Sequence, residues 1–261
     1  MPEANTDEED STADGSSVSE PDASAMDVTD SGAPRADAAR MQDATIASMP
    51  DAAVCARSDV SSNEVLIIGD SFFATTHQIT AYLEALAREA GALSMGEGYR
   101  DNSRLLDNTL ALMGEGIADQ YTTAAEESPV TVVIMNGGGA DALLGTCEDA
   151  SSDCPTLTNA ADAAEILLAQ MSADGVGQVV YAFYPDPIDE SVREKVDALR
   201  PLVQEVCSNS PTPCHFLDLR PVFEGRYDDY VIADGRNPTD EGSEAAAGAI
   251  WELMRQQCIA Q

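Results

Sequence analysis

Val65-Leu-Ile-Ile-Gly-Asp-Ser71 decides the fold. Four consecutive apolar residues without alternation read as a strand buried on both faces, as parallel sheets require. Gly69 ends the run. Ser71 opens a helix, since Ile79, Leu83, Leu86 and Ala90 then recur at helical spacing. A serine so placed has two readings. It can be an N-cap that accepts from the first N–H groups of its own helix. It can equally be a nucleophile whose developing oxyanion is stabilised by backbone N–H groups at that turn. Position alone leaves both open.

Outward from this segment, strand and helix signals alternate. Val130-Thr-Val-Val-Ile-Met135 is a second strand and runs into Asn136-Gly-Gly-Gly139. A helix follows with Ala160, Ala163, Ala164, Leu167 and Met171 in register. Val179-Val-Tyr-Ala-Phe-Tyr184 is a third strand, with Tyr184 at the edge of the site. Ile188, Val192, Val196, Leu199, Val203 and Val206 mark the next helix, which Pro201 is expected to kink or split. Cys214-His-Phe-Leu-Asp-Leu219 is the last strand, and Ala247, Ile250, Met254 and Cys258 share one face of the final helix. Between the first two strands, residues 92–100 fit a short edge strand. Residues 103–128 read as helical, with Leu106, Leu110 and Met113 aligned. The alternation predicts a three-layer α/β/α sandwich around a five-stranded parallel, flavodoxin-like sheet. Ligands of such sheets bind at the carboxyl ends of the strands. That rule points to Gly69-Asp-Ser71, to Asn136–Asp141 and to the loop before the last helix.

The chain of 261 residues holds 47 acidic and 13 basic residues, a net charge of −34. Residues 1–60 carry 14 acidic and 3 basic residues, so most of the imbalance lies in the remaining 201. An acidic surface of this kind repels nucleic acid and anionic membranes. Residues 1–58 are rich in Asp, Glu, Ser, Ala, Thr and Pro and have no aromatic residue; they are expected to form a disordered acidic stalk ahead of an α/β domain at 59–261. The chain opens without a basic segment followed by an apolar one, and no run approaches transmembrane length. The six cysteines include two local pairs with six residues between partners, Cys147/Cys154 and Cys207/Cys214. Neither has C-x-x-C spacing, so short disulfide loops fit better than zinc, and no metal or cofactor is expected. Cys55 and Cys258 remain and would tie the start of the domain to its last helix. Six cysteines allow fifteen connectivities, and six buried thiols is the alternative. Disulfides place the protein in an oxidising setting: secreted, periplasmic or at the cell surface.

Three segments in order resemble the blocks of the SGNH/GDSL hydrolases. Leu66-Ile-Ile-Gly-Asp-Ser71 looks like the first block, whose serine is the nucleophile. Gly138-Gly-Ala-Asp141 looks like the third. Asp234-Gly-Arg-Asn-Pro-Thr239, followed by Gly242, looks like the last. The match in order and spacing covers about residues 62–258. The resemblance implies a serine ester hydrolase or acyl transferase acting on a small-molecule or glycan acyl ester, with Ser71 and Asp234 as catalytic residues. Asn237 stands where the family has its catalytic histidine, and Ala140 where it has its oxyanion asparagine. The second block falls near Gly98-Tyr-Arg-Asp-Asn-Ser103, with Asn102 or Ser103 at the position of its N–H donor. Oxyanion or substrate contacts are then expected from Asn102, Ser103, Gly138, Gly139, Ala140 and Asp141.

An asparagine cannot take a proton near neutral pH. His77 lies six residues past Ser71 on another face of the helical segment, and His215 opens the last strand at the far end of the sheet. Asp141 and Asp234 are the carboxylates that could act as base in its place. Two functions from different classes follow: an esterase or deacylase that uses Ser71 with a base other than histidine, and an inactive relative that binds an acylated glycan, lipid or protein partner. A dinucleotide reading of Gly137-Gly-Gly-Ala-Asp-Ala142 is disfavoured, because the segment leads into a cysteine-closed polar loop rather than directly into a helix.

Overall fold

The computed structural model describes Cys55 and residues 59–260, apart from 107, 114, 115 and 148. The segment expected to be a stalk lies outside the described residues except for Cys55. Five strands form one sheet: β1 Val65–Ile68, β2 Arg100–Asp101, β3 Val132–Met135, β4 Gln178–Phe183 and β5 Cys214–Asp218. All neighbours are parallel and the order is β2-β1-β3-β4-β5. β1 and β3 are buried along their whole length, which is why their sequences are unbroken apolar runs.

The helices are α1 Ser71–Ala74, α2 Gln78–Glu89, α3 Gly116–Glu127, α4 Gly139–Leu144, α5 Pro155–Ala173, α6 Glu190–Ser208, α7 Arg220–Phe223, α8 Tyr227–Tyr230 and α9 Asp240–Gln256. The step from β1 to β2 runs one way along the sheet, and the next three crossovers run the other way. Right-handed connections then put α2 on one face and α3, α5 and α6 on the other. The contacts agree: α9 returns from the far edge to pack on α2, and α5 packs on α6. The strand order reverses between β1 and β3, so a crevice opens at their carboxyl ends. Ser71 follows β1 at that crevice. The buried core includes Phe73, Tyr121, Tyr181, Phe183 and Phe223, each contributing roughly 1.5–3 kcal/mol through burial.

Several expectations need correction. The described residues between 103 and 113 are not helical; the helix begins only at Gly116. The Asp141 carboxylate accepts the N–H groups of Leu110, Ala111 and Leu112 at 2.7–3.0 Å, and so ties this stretch as a loop. Leu106 and Met113 are exposed in consequence. α6 runs unbroken through Pro201, held by the buried side chains of Val196, Leu199, Arg200 and Val203 on either side of it. The edge strand is shorter than expected, and Cys258 lies just past the end of α9.

The three disulfides are Cys55–Cys258, Cys147–Cys154 and Cys207–Cys214, as the spacing suggested. No described helix is long and apolar enough to cross a membrane. The Cys55–Cys258 bridge closes a loop of 203 residues, and in the chain-entropy account such a loop contributes up to about 5 kcal/mol. Replacing both cysteines with serine should lower the thermal midpoint by several degrees in calorimetry. An unchanged midpoint would show that the bridge constrains nothing the folded domain needs.

Candidate active site

The turn after β1 is fixed from three sides. Gly69 N–H donates to Gln120 Oε1 at 2.8 Å, and Gln120 Nε2 donates back to Gly69 O at 3.0 Å. Arg104 N–H donates to the same carbonyl. Asn136, at the end of β3, accepts from Asp70 N–H through Oδ1 at 3.1 Å. A Cβ on residue 69 would sit 1.7 Å from that Oδ1, so only glycine permits the approach. Asp70, not Ser71, is the N-cap of α1, accepting from Phe72 N–H at 3.1 Å. Ser71 is freed from capping. Its carbonyl accepts from Thr75, while its hydroxyl has no hydrogen-bond partner among the described residues.

Asp70 is almost fully buried and surrounded by donors. Asn136 Nδ2 donates to it at 2.7 Å and Tyr184 Oη at 2.5 Å. The Ala140 N–H also faces it, and the Gly139 N–H faces the Tyr184 hydroxyl. Burial pushes the Asp70 carboxyl above its ordinary range, against the pull of these hydrogen bonds. Burial and the Asp70 carboxylate together push Tyr184 well up, so it remains a donor.

Across the crevice, the 234–239 turn precedes α9. Asp234 Oδ1 accepts the N–H groups of Arg236 and Asn237 at 3.0 and 2.9 Å, and Oδ2 accepts Asn237 Nδ2 at 2.6 Å. The Asn237 amide thus gives its N–H to the Asp234 carboxylate. Thr239 caps α9 through Gly242 N–H at 3.1 Å, and a Cβ at 242 would lie 2.1 Å from the Tyr230 carbonyl.

Between these walls lies a cleft of about 280 Å³. Ser71, Asn237, Gly139 and Ala140 all line it, together with Asp70, Tyr184, Arg236 and an apolar wall that includes Phe72, Leu143 and Val196. Asp234 stands behind Asn237. The other expected contacts lie elsewhere. Asp141 is buried and turned toward the 110–112 loop. Gly138 is the left-handed N-cap of α4, at φ 91°. Asn102 N–H continues the ladder to Ile67 O. Ser103 directs both its N–H and its hydroxyl at Asp101 Oδ1, at 3.0 and 2.6 Å. His77 Nδ1 pairs with Asp101 Oδ2 at 2.9 Å, and His215 Nε2 with Gln178 Oε1 at 2.8 Å. Neither ring lines the cleft. Among the described residues, no group of His, Cys, Asp or Glu is arranged to hold a metal ion. Gln120 was missed by sequence reasoning. Its signal was an amide on the apolar face of α3, between Ile117 and Ala124.

No family model matches the chain, and no curated protein matches it in sequence. Solved structures do. A provisionally assigned SGNH hydrolase from Slackia heliotrinireducens is 19% identical, with a TM-score of 0.54 over 73% of this chain and 97% of its own. The chain has an SGNH-hydrolase-like fold. The SGNH-like domain is similar also to a family 3 carbohydrate esterase from Clostridium thermocellum, at 17% identity and TM-score 0.55 over 76% of this chain and 98% of that one. A catalytic mutant of an acetylxylan esterase from Geobacillus stearothermophilus gives 17% identity and TM-score 0.52, over 76% and 96%. The likeness is one of architecture.

The Asp70 environment sets a pH test. A carboxyl whose pKa is higher folded than unfolded binds more protons in the folded state, so its contribution to stability falls as pH rises from the unfolded value through the folded one. The advantage of the native protein over Asp70→Asn should therefore be larger at pH 4.5 than at pH 7.5 in urea denaturation. An advantage that is equal or smaller at pH 4.5 would contradict the assigned direction.

Proposed function

We propose that the SGNH-like domain binds the acyl part of an ester in the cleft at Ser71 and does not turn it over at the rate of a serine hydrolase. The solved esterases of similar fold support an ester as the ligand class. One observation carries the choice between binding and hydrolysis: the cleft that Ser71 lines holds Asn237, at the position where the family resemblance expects the histidine, and its amide donates to Asp234 at 2.6 Å. The carboxylates that could replace a histidine are engaged. Asp234 accepts three hydrogen bonds, Asp141 accepts three backbone N–H groups, and Asp70 is enclosed by Phe72, Asn136, Ala140 and Tyr184. Loss of the base in a serine triad costs about a millionfold in turnover. Ala140 stands where the family resemblance expects an oxyanion asparagine and has no amide side chain to donate, and the Ser103 N–H, a candidate donor of the second block, donates to Asp101 instead; loss of one such donor costs on the order of a hundredfold or more. The three disulfides support a role in an oxidising compartment outside the cytosol.

The hydrolase reading retains one favourable feature, the unpartnered Ser71 hydroxyl in the cleft. Hydrolysis of p-nitrophenyl acetate separates the two. The native protein and Ser71→Ala should be equal and close to background. Asn237→His should raise the rate on the order of a hundredfold, through an imidazole held by Asp234. A native rate well above that of Ser71→Ala would make Ser71 a working nucleophile and replace the binding reading with the hydrolase one.

A further inference from the structure

A second concavity shares no lining residue with the Ser71 cleft. It is a groove of about 420 Å³ between α5 and α6. The α5 residues that line it recur at i, i+3, i+4 and i+7 from Thr158 to Ala169, so they form one stripe along the helix. A helix rises about 1.5 Å per residue, so that stripe is about 16 Å long. The facing stripe comes from the second half of α6, whereas Val192 and Val196 in its first half line the cleft. Leu168 is buried at the floor, and Leu202 and Val206 are partly buried beside it. Pro211 completes the lining from the loop that the Cys207–Cys214 disulfide ties off. Thr212 in the same loop donates through Oγ1 to Val176 O at 2.7 Å. A groove held in this way loses little conformational freedom when it is filled.

The rim of the groove is charged in one sense. Asp162 and Glu165 on α5 and Glu205 on α6 are exposed lining residues, and the lining includes no basic side chain. Among the described residues, none of these three carboxylates is in a salt bridge. The first part of α6 differs: there Arg200 pairs with Asp186, Asp197 and Asp218, while residues 201–208 contain no Lys or Arg. Exposed carboxylates are ordinary on a chain of net charge −34. Carboxylates on both sides of an apolar floor match a ligand that is cationic and apolar together. Ile166 is 70% exposed on α5, one turn from Asp162 and from Ala169. The apolar surface therefore continues past the edge of the groove.

We infer that the α5–α6 groove docks a basic, amphipathic segment of a partner protein, with apolar side chains on Leu168, Leu202 and Val206 and flanking Lys or Arg side chains on Asp162, Glu165 and Glu205. About five extended residues, at about 3.3 Å each, span the stripe. Lysine or arginine stems add to the apolar contact while their charged heads reach the rim. Like charge excludes a second copy of this chain as the occupant, with −34 on each. A small polyamine would meet the carboxylates without using the exposed Ile166. This surface is separate from the Ser71 cleft and does not depend on what that cleft binds.

Calorimetric titration of the full chain at low ionic strength with two blocked peptides, Lys-Leu-Lys-Leu-Lys and Lys-Ser-Lys-Ser-Lys, varies the apolar contact at constant charge. The leucine peptide should bind about tenfold more tightly. The triple variant Asp162→Asn/Glu165→Gln/Glu205→Gln should weaken its binding about tenfold. The triple variant Glu89→Gln/Glu127→Gln/Glu244→Gln removes the same charge from exposed positions on α2, α3 and α9, and should keep its affinity within about twofold of the native protein. Equal binding of the two peptides, or an equal loss in both triple variants, would overturn the inference and leave only attraction to the acidic chain as a whole. Spermidine binding as tightly as the leucine peptide would replace the protein segment with a small polyamine. Failure of both peptides to bind would overturn the inference outright.

Discussion

A carboxyl group buried behind the first strand organises the carboxyl edge of the sheet. Asp70 gathers Asn136 from the end of β3, Tyr184 from the end of β4, the Phe72 N–H of its own helix and the Ala140 N–H of α4. Taking a carboxylate out of water costs several kcal/mol, and hydrogen bonds to a charged group return about 1.5–3 kcal/mol each. The group is tolerated only while all these donors are in place. That requirement fixes the relative positions of three strand ends, and it fixes Gly69, since the Asn136 amide lies where a side chain at 69 would be. Ser71 then emerges with its hydroxyl unclaimed, because the capping of α1 is done by its neighbour.

The same arrangement supports the proposed separation of fold from chemistry. Asp70 and Tyr184 are faced by the N–H groups that open α4, and Asp101 accepts the N–H of Ser103. On the proposed reading, the Ser103 N–H is thus held by the protein's own carboxylate. On the opposite wall the Asp234 turn is intact, but it orients an amide that cannot accept a proton. On the same reading, a hydrolase-like architecture keeps a cleft and a serine, while Asp141 and Asp234 are held by N–H donors of the protein.

The sheet was legible because β1, β3 and β4 are buried on both faces and so carry unbroken apolar runs, and because helical spacing follows each of them. The two local disulfides were legible from cysteine spacing. Residues 103–113 were misread for a definite reason: Leu106, Leu110 and Met113 imitate helical spacing, but the backbone there bonds to the Asp141 side chain, a tertiary contact that no local pattern announces. Two of the three apolar residues are exposed rather than packed. Asp141 was nominated as a base from its position at a strand end; its direction, toward that loop, depends on the left-handed turn at Gly138. The Ser71 and Asn237 positions could be read from motif order, whereas the roles of Gln120 and Tyr184 come from partners 51 and 114 residues away.

The central claim is that Ser71 is positioned but not activated. It is tested most directly by the rate at which purified, folded protein reacts with a fluorophosphonate probe, compared with Ser71→Ala. The account predicts labelling of the native protein no faster than that of the variant. Rapid stoichiometric labelling, abolished by Ser71→Ala, would show that some group does withdraw the serine proton, and would contradict it.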